Sequence, residues 1–164
     1  DLTQKNFFAA LTTGATLVFA DMQNYDVDAI AQQIFEHKVS LVNLAPSVFY
    51  PLVENSSNFE KLQSLRLVLF GGEAIQMPSL MPWLENPHCS AQVVNMYGPT
   101  ETCVWSSVKQ IRNQEDAITV GKPIHNTQFY IVDKDKKELT RYENYIPPET
   151  FAKFLKDWSG NDPK

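Results

Sequence analysis

The stretch that decides the fold is AQVVNMYGPTE, residues 91–101. AQVVNM reads as a strand; an aromatic ring, a Gly-Pro turn, a hydroxyl and a carboxylate follow directly. A turn needs Gly98 and Pro99, whose backbone preferences suit a change of direction. It does not need Tyr97, Thr100 and Glu101 beside them. The surplus is chemistry placed at the carboxyl end of a strand.

Working outward, two further apolar runs end in the same manner. VSLVNLAP (39–46) stops at Pro46, and LRLVLFGGE (65–73) stops at a glycine pair. Between them the period changes. YDVDAIAQQIFEHK (25–38) sets Val27, Ile30, Ala31, Ile34 and Lys38 at helical spacing, with Asp26 as its cap. Ser47 is expected to cap a short helix through VFYPLVEN, with Pro51 inside it, and PSLMPWLEN (78–86) to hold another. GATLVFAD (14–21) reads as a further short strand. Strands alternating with helices predict an α/β fold, a mostly parallel sheet flanked by helices. After Glu101 the texture shifts: VWSSVKQI (104–111), AITVGKPI (117–124) and TQFYIVD (127–133) predict short antiparallel strands. From Asp133, DKDKKELTR reads as a charged, exposed turn, and the tail as an amphipathic turn or two around Phe151, Phe154, Leu155 and Trp158. The expected organisation is one unit over 1–133, with 134–164 forming no independent domain.

Composition narrows the function. A chain of 164 residues with 43% hydrophobic and 20% charged residues suits one globular domain with a core. The formal net charge of -5 and the lack of a basic block argue against a nucleic-acid partner. No apolar run is long enough to span a membrane, so no membrane partner is expected. The two cysteines, Cys89 and Cys103, form no CxxC and suggest no disulfide framework, which points to a cytoplasmic location. His37, His88 and His125 fall on unlike elements and support neither a zinc site nor a nucleophilic triad.

In open parallel sheets, ligands collect beyond the carboxyl ends of strands. If NLAPS (43–47), FGGEA (70–74) and NMYGPTE lie side by side, they form one lip. Gly71 and Gly72 would admit a flat group close to the backbone, and Tyr97 would cover it. The Thr100 hydroxyl can donate to a phosphoryl oxygen, whereas the Glu101 carboxylate suits a phosphate only through a divalent cation such as magnesium. Each residue also has a plain structural reading: a packed ring at Tyr97, a cap at Glu101, a tight turn at Gly71 and Gly72, and a core thiol at Cys103.

NMYGPTE, with LFGGE before it and VGKPIHNTQFYIVD after it, resembles the adenylate-forming enzymes, most closely the amino-acid adenylation domains of nonribosomal peptide synthetases. FFAALTTGATLVF (7–19) and SLVNLAPSVF (40–49) resemble two further segments of that domain, so the likeness covers roughly residues 1–133. The resemblance implies a partial adenylate-forming fold that activates an amino acid with ATP and Mg2+, then passes it to the phosphopantetheine thiol of a peptidyl carrier domain. It implies that Gly72, Glu73 and Ala74 border the adenine, that Tyr97 stacks on it and that Asn95 reads its amino edge. It assigns the α-phosphate to Thr100 and the metal to Glu101, which makes these two the catalytic candidates. Asp1 would pair with the substrate amino group, and Leu2, Lys5, Asn43, Leu69, Gly71, Met96, Val104 and Trp105 would wall the pocket. That wall suggests a small or modestly polar amino acid, such as cysteine, threonine or glycine. Lys5 is its odd member, since a buried ammonium needs a partner.

Members of that family also carry a Thr/Ser/Gly-rich phosphate loop, a Tyr-Arg-Thr-Gly-Asp segment for the ribose and a catalytic lysine in a mobile subdomain. None of the three has a clear match here, and YIPPETFAKFL resembles the end of such a domain only faintly. The expectation is therefore a fragment that works as an enzyme only within a longer parent. The competing expectations are an inactive fold remnant and a protein-interaction module that self-associates through exposed apolar surface.

Overall fold

The computed structural model describes residues 2–20 and 25–144. They fall into two units, the first ending at Gly121 and the second beginning at Lys122. Within the first unit, β1 (Leu41–Leu44), β2 (Leu67–Gly71), β3 (Gln92–Tyr97) and β4 (Ser107–Ile111) form a sheet in that order. β1, β2 and β3 run parallel and β4 antiparallel. This is the expected architecture: a mostly parallel sheet, flanked by helices, continued by antiparallel strands.

Strand alternation sorts the sheet into two faces. Val42, Val68, Val93 and Ile111 are register partners and make one row of the core face. α2 (Val27–Glu36), α3 (Pro46–Glu54) and α4 (Met77–Leu84) supply the rest of that core, burying Ala31, Ile34, Phe49, Leu52, Val53, Leu80 and Trp83. Phe49 is its hub. Its ring meets Phe70 edge-on at 5.4 Å and Trp83 at 5.1 Å, arrangements that aromatic quadrupoles favour. The Asp26 carboxylate caps α2 as expected, accepting from the N–H groups of Asp28 and Ala29.

Several local readings are corrected. Ser47 does not cap α3; Ala45 is the N-cap and Pro46 opens the helix. Residues 15–20 form no strand; among the described residues no strand pairs with them. They are preceded by a helix, α1 (Leu2–Thr13), which the near-continuous run FFAAL disguised by masking any helical period. In the stretch 117–124 only Lys122–Pro123 (β5) is strand, and a short helix, α5 (Gln114–Ala117), ends where it begins.

The second unit contains β5 and an antiparallel hairpin of β6 (Thr127–Val132) and β7 (Glu138–Asn144). The charged segment after Asp133 is thus a turn only to Lys137. Asp133 makes it, its carboxylate accepting from the N–H groups of Asp135 and Lys137 at 2.9 Å each. The helical turns expected around Phe151 to Trp158 lie outside the described residues. Among the described residues no helix is long and apolar enough to cross a membrane.

Removal of the hub ring should be costly. Phe49→Ala is expected to lower stability by roughly 3–5 kcal/mol, read from the shift in urea midpoint at unchanged slope. A loss of less than about 1 kcal/mol would show that the helices, not this contact, hold the sheet.

Candidate functional site

Because β1, β2 and β3 are parallel and in register, their carboxyl ends share one edge of the sheet. NLAPS, FGGEA and NMYGPTE therefore come together as a lip. Gly72 takes φ +86°, a conformation suited to glycine, and the space where a side chain would stand is open. Tyr97 closes β3 with its ring 50% exposed. Thr100 and Glu101 follow on a single 3₁₀ turn, both exposed.

The loop from Gly98 to Ser106 is tightly folded. A Cβ on Gly98 would lie 2.5 Å from the Val104 carbonyl oxygen, so only glycine fits. The Ser106 N–H donates to the Tyr97 carbonyl at 2.8 Å, and the Thr102 hydroxyl pairs with that of Ser106. Cys103 and Val104 both adopt positive φ, 57° and 81°. For β-branched Val104 that is a strained conformation, of the kind held only where surroundings over-determine it. The strain turns Trp105 back over the sheet, where its ring occupies the space a Cβ on Gly71 would need, 2.3 Å away.

Glu73 has a use that sequence did not reveal. Its carboxylate accepts from the Ser47 N–H at 3.1 Å and from the Ser47 hydroxyl at 2.9 Å. It thereby caps the first turn of α3 from another element and ties the second strand end to the first. Beside it the Tyr50 hydroxyl accepts from the Gln76 N–H at 2.7 Å. Burial raises that phenol above its ordinary pKa, the Gln76 bond opposes this, and the Glu73 charge raises it further. Ala74 is exposed on the same loop.

The pleat separates the two sets of candidate residues. Asn95 and Tyr97 alternate with Met96, so they face one side and Met96 the other, beside its register partner Gly71. Leu69 shares the face of Met96 and Gly71, as does its register partner Asn43. The structure brings Lys5 to this group from α1: its Nζ stands 3.2 Å from the centroid of the Trp105 ring. Asn43 is only 8% exposed and is held by Asn6, a residue the sequence reading passed over. Its proximity to Lys5 in the chain was the one available signal. Val104 is half-buried at the neck of the loop. Leu2 opens α1, and Asp1 lies outside the described residues.

Oxygen donors alone flank the lip at Thr100 and Glu101, a set that fits magnesium. Among the described residues no group of three or more His, Cys, Asp or Glu side chains could hold a metal. A cation here would thus rest on Glu101 and on oxygens brought by a phosphate.

Lys5 is the electrostatic anomaly of the site. Its nitrogen is shielded from water without a hydrogen-bond partner, and burial lowers its pKa from 10.5 to about 7. Between those values the unfolded chain binds a proton that the folded chain lacks, so stability rises with pH across that window and is flat below it. Lys5→Met should therefore stabilise the protein most at pH 7 and below, with the gain vanishing as pH nears 10.5. Urea denaturation across that range tests this; a pH-independent gain would place the effect in packing.

Comparison with known proteins agrees with this geometry. The sequence profile described as AMP-binding enzyme matches residues 1–144. The chain is 38% identical over 136 residues to a dimodular nonribosomal peptide synthase of Bacillus subtilis (strain 168), covering 81% of this chain and 5% of that protein. It is 33% identical over 134 residues to tyrocidine synthase 2 of Brevibacillus parabrevis, covering 81% of this chain and 4% of that protein. Among solved structures it is similar to the nonribosomal peptide synthetase FmoA3 (S1046A), with a TM-score of 0.70, 30% identity, and coverage of 82% of this chain and 15% of that one. It is also similar to PA1221, a protein containing adenylation and PCP domains, with a TM-score of 0.69, 28% identity, and coverage of 81% and 27%. The chain belongs to the AMP-binding enzyme family, whose members use ATP and Mg2+, and matches part of the adenylation domain of nonribosomal peptide synthetases.

Proposed function

We propose that this chain is the central part of an amino-acid adenylation domain, which within a longer polypeptide forms an aminoacyl adenylate with release of pyrophosphate and transfers its aminoacyl group to a carrier-domain thiol with release of AMP. The observation that carries this reading is the meeting of three strand ends at one open lip, with Tyr97, Thr100 and Glu101 in succession on it. Mg-ATP, when bound, supplies the activated phosphorus and a leaving group. The chain's own residues do the positioning. Tyr97 offers its exposed ring to the adenine beside Gly72, Glu73 and Ala74, with Asn95 on the same side of β3. Thr100 donates to an α-phosphate oxygen, and Glu101 holds the cation that screens the phosphates. On the other side of β3, Lys5, Asn43, Leu69, Gly71, Met96, Val104 and Trp105 enclose the amino-acid side chain; Leu2 is assigned to the same wall and Asp1 to the substrate amino group. Alignment of the two ligands across one strand is the contribution of this part.

Binding of Mg-ATP to the purified chain tests the reading. Tyr97→Ala is expected to weaken binding about tenfold, the scale of one lost aromatic contact. Glu101→Gln should remove the dependence of affinity on magnesium. Equal affinity in all three proteins would overturn the assignment. The chain alone is expected to give no amino-acid-dependent exchange of pyrophosphate into ATP above a control without enzyme.

A second reading, a protein-interaction module, is favoured by the exposed Phe8, Leu11 and Phe19, with Phe19 next to Phe7 at 5.9 Å. It expects concentration-dependent self-association in sedimentation at tens of micromolar, and Phe8→Ser with Phe19→Ser should abolish it. A clean monomer would remove this reading.

A further inference from the structure

The amino-acid side of the cleft holds two buried polar atoms of opposite kind, each without a hydrogen-bond partner: Lys5 Nζ and Asn43 Oδ1. In folded proteins nearly all such atoms are satisfied, and an exception asks for an explanation. One orphan donor and one orphan acceptor on the same side of the sheet describe the ligand that would complete them.

The identity of the free Asn43 atom follows from its neighbours. The Asn6 amide nitrogen donates to the Asn43 backbone carbonyl at 3.2 Å, an atom that can only accept. Asn6 must therefore turn its Oδ1 the other way, where it accepts from the Asn43 Nδ2 at 2.7 Å. That bond fixes the Asn43 amide with Oδ1 left over. A flip of Asn43 would set its Oδ1 against Asn6 Oδ1, two acceptors with no proton between them.

The second orphan is fixed as firmly. Lys5 precedes Asn6 on α1 and stands over the Trp105 ring, which itself lies on Gly71. The ring face offsets part of the cost of a buried cation but takes no hydrogen bond. Gly71 and Asn43 share a sheet face, one strand apart and two residues along, a backbone separation of roughly 8 Å. The side chains reach from those positions toward each other, and one planar group with hydrogen bonds at both ends can bridge them.

We infer that the amino acid taken by this cleft carries a side-chain carboxamide, as asparagine or glutamine does, its carbonyl oxygen accepting from Lys5 and its NH2 donating to Asn43. The inference rests on the amino-acid-activating reading above and sharpens it. A carboxylate would meet Lys5 but set its second oxygen against Asn43 Oδ1, two acceptors with no proton between them. A hydroxyl carries its donor and acceptor on one oxygen, so it completes both orphans only across a shorter gap than an amide spans, and a thiol does so weakly. An aliphatic side chain leaves both unmet. The lowered pKa of Lys5 points the same way, since an amine close to neutrality still donates and does not demand a counter-charge.

The test is calorimetric titration of the 164-residue chain, saturated with Mg-ATP, with L-Asn, L-Gln, L-Asp, L-Glu, L-Leu and L-Thr. The better amide is expected to bind at least about tenfold more tightly than its own acid and than leucine, the scale of leaving a buried polar group unpaired. Lys5→Met should erase the preference for amide over leucine. Asn43→Ala should erase the preference for amide over acid; circular dichroism and the urea midpoint establish that each variant is folded. Preference for an acid, for threonine or for leucine overturns the carboxamide inference and leaves the amino-acid site standing. Binding of none of the six overturns the site itself, and the inference with it.

Discussion

Everything at the lip depends on the parallel register of β1, β2 and β3. Three strands entering from the same side must leave at the same edge, so three loops far apart in sequence are delivered to one place. The register is held by burial. Shifting any strand by one residue would carry its partner in the Val42, Val68 and Val93 row away from the aromatic core and bring a residue of the opposite face inside. The packing of Phe49 against Phe70 and Trp83 is thus also what keeps Tyr97 beside Gly72. Fold stability and site geometry are one constraint here.

Polar bonds then refine what packing places. Glu73 ties the end of β2 to the start of α3, and Asn6 ties α1 to β1. Each bond joins an element of the lip to the element behind it. The strained Val104 belongs to the same scheme: its positive φ is the backbone cost of folding Trp105 over Gly71.

The sheet also divides labour. Alternation along β3 sends Tyr97 and Asn95 to one side and Met96 to the other, so in the proposed function a nucleotide and an amino acid would meet across a single strand. On the face of Met96 and Gly71 the wall is polar as well as apolar, as Lys5 and Asn43 already suggested in the sequence. A desolvated ammonium and an unpaired amide oxygen give it polarity of a defined sense. Pocket composition conveyed size and a trace of polarity; the hydrogen-bond accounting says which atoms are left without partners.

The sequence alone determined whatever is local. The helical period from Val27 to Ile34, the Asp26 cap, the three strand ends and the glycine pair were all legible, because each depends on a few neighbouring residues; only Lys38, expected on the same stripe, lies past the helix end with φ 50°. The motif succession that marks the AMP-binding family was legible for the same reason. Where local cues were weak the reading slipped: FFAAL hid a helix, GATLVFAD promised a strand that has no partner among the described residues, and the charge after Asp133 hid β7. Only tertiary structure could pair Lys5 with Trp105, Asn6 with Asn43 and Ser47 with Glu73. Those contacts are set by register and by how elements pack, and no local preference encodes which side chains will face each other once distant segments are brought together.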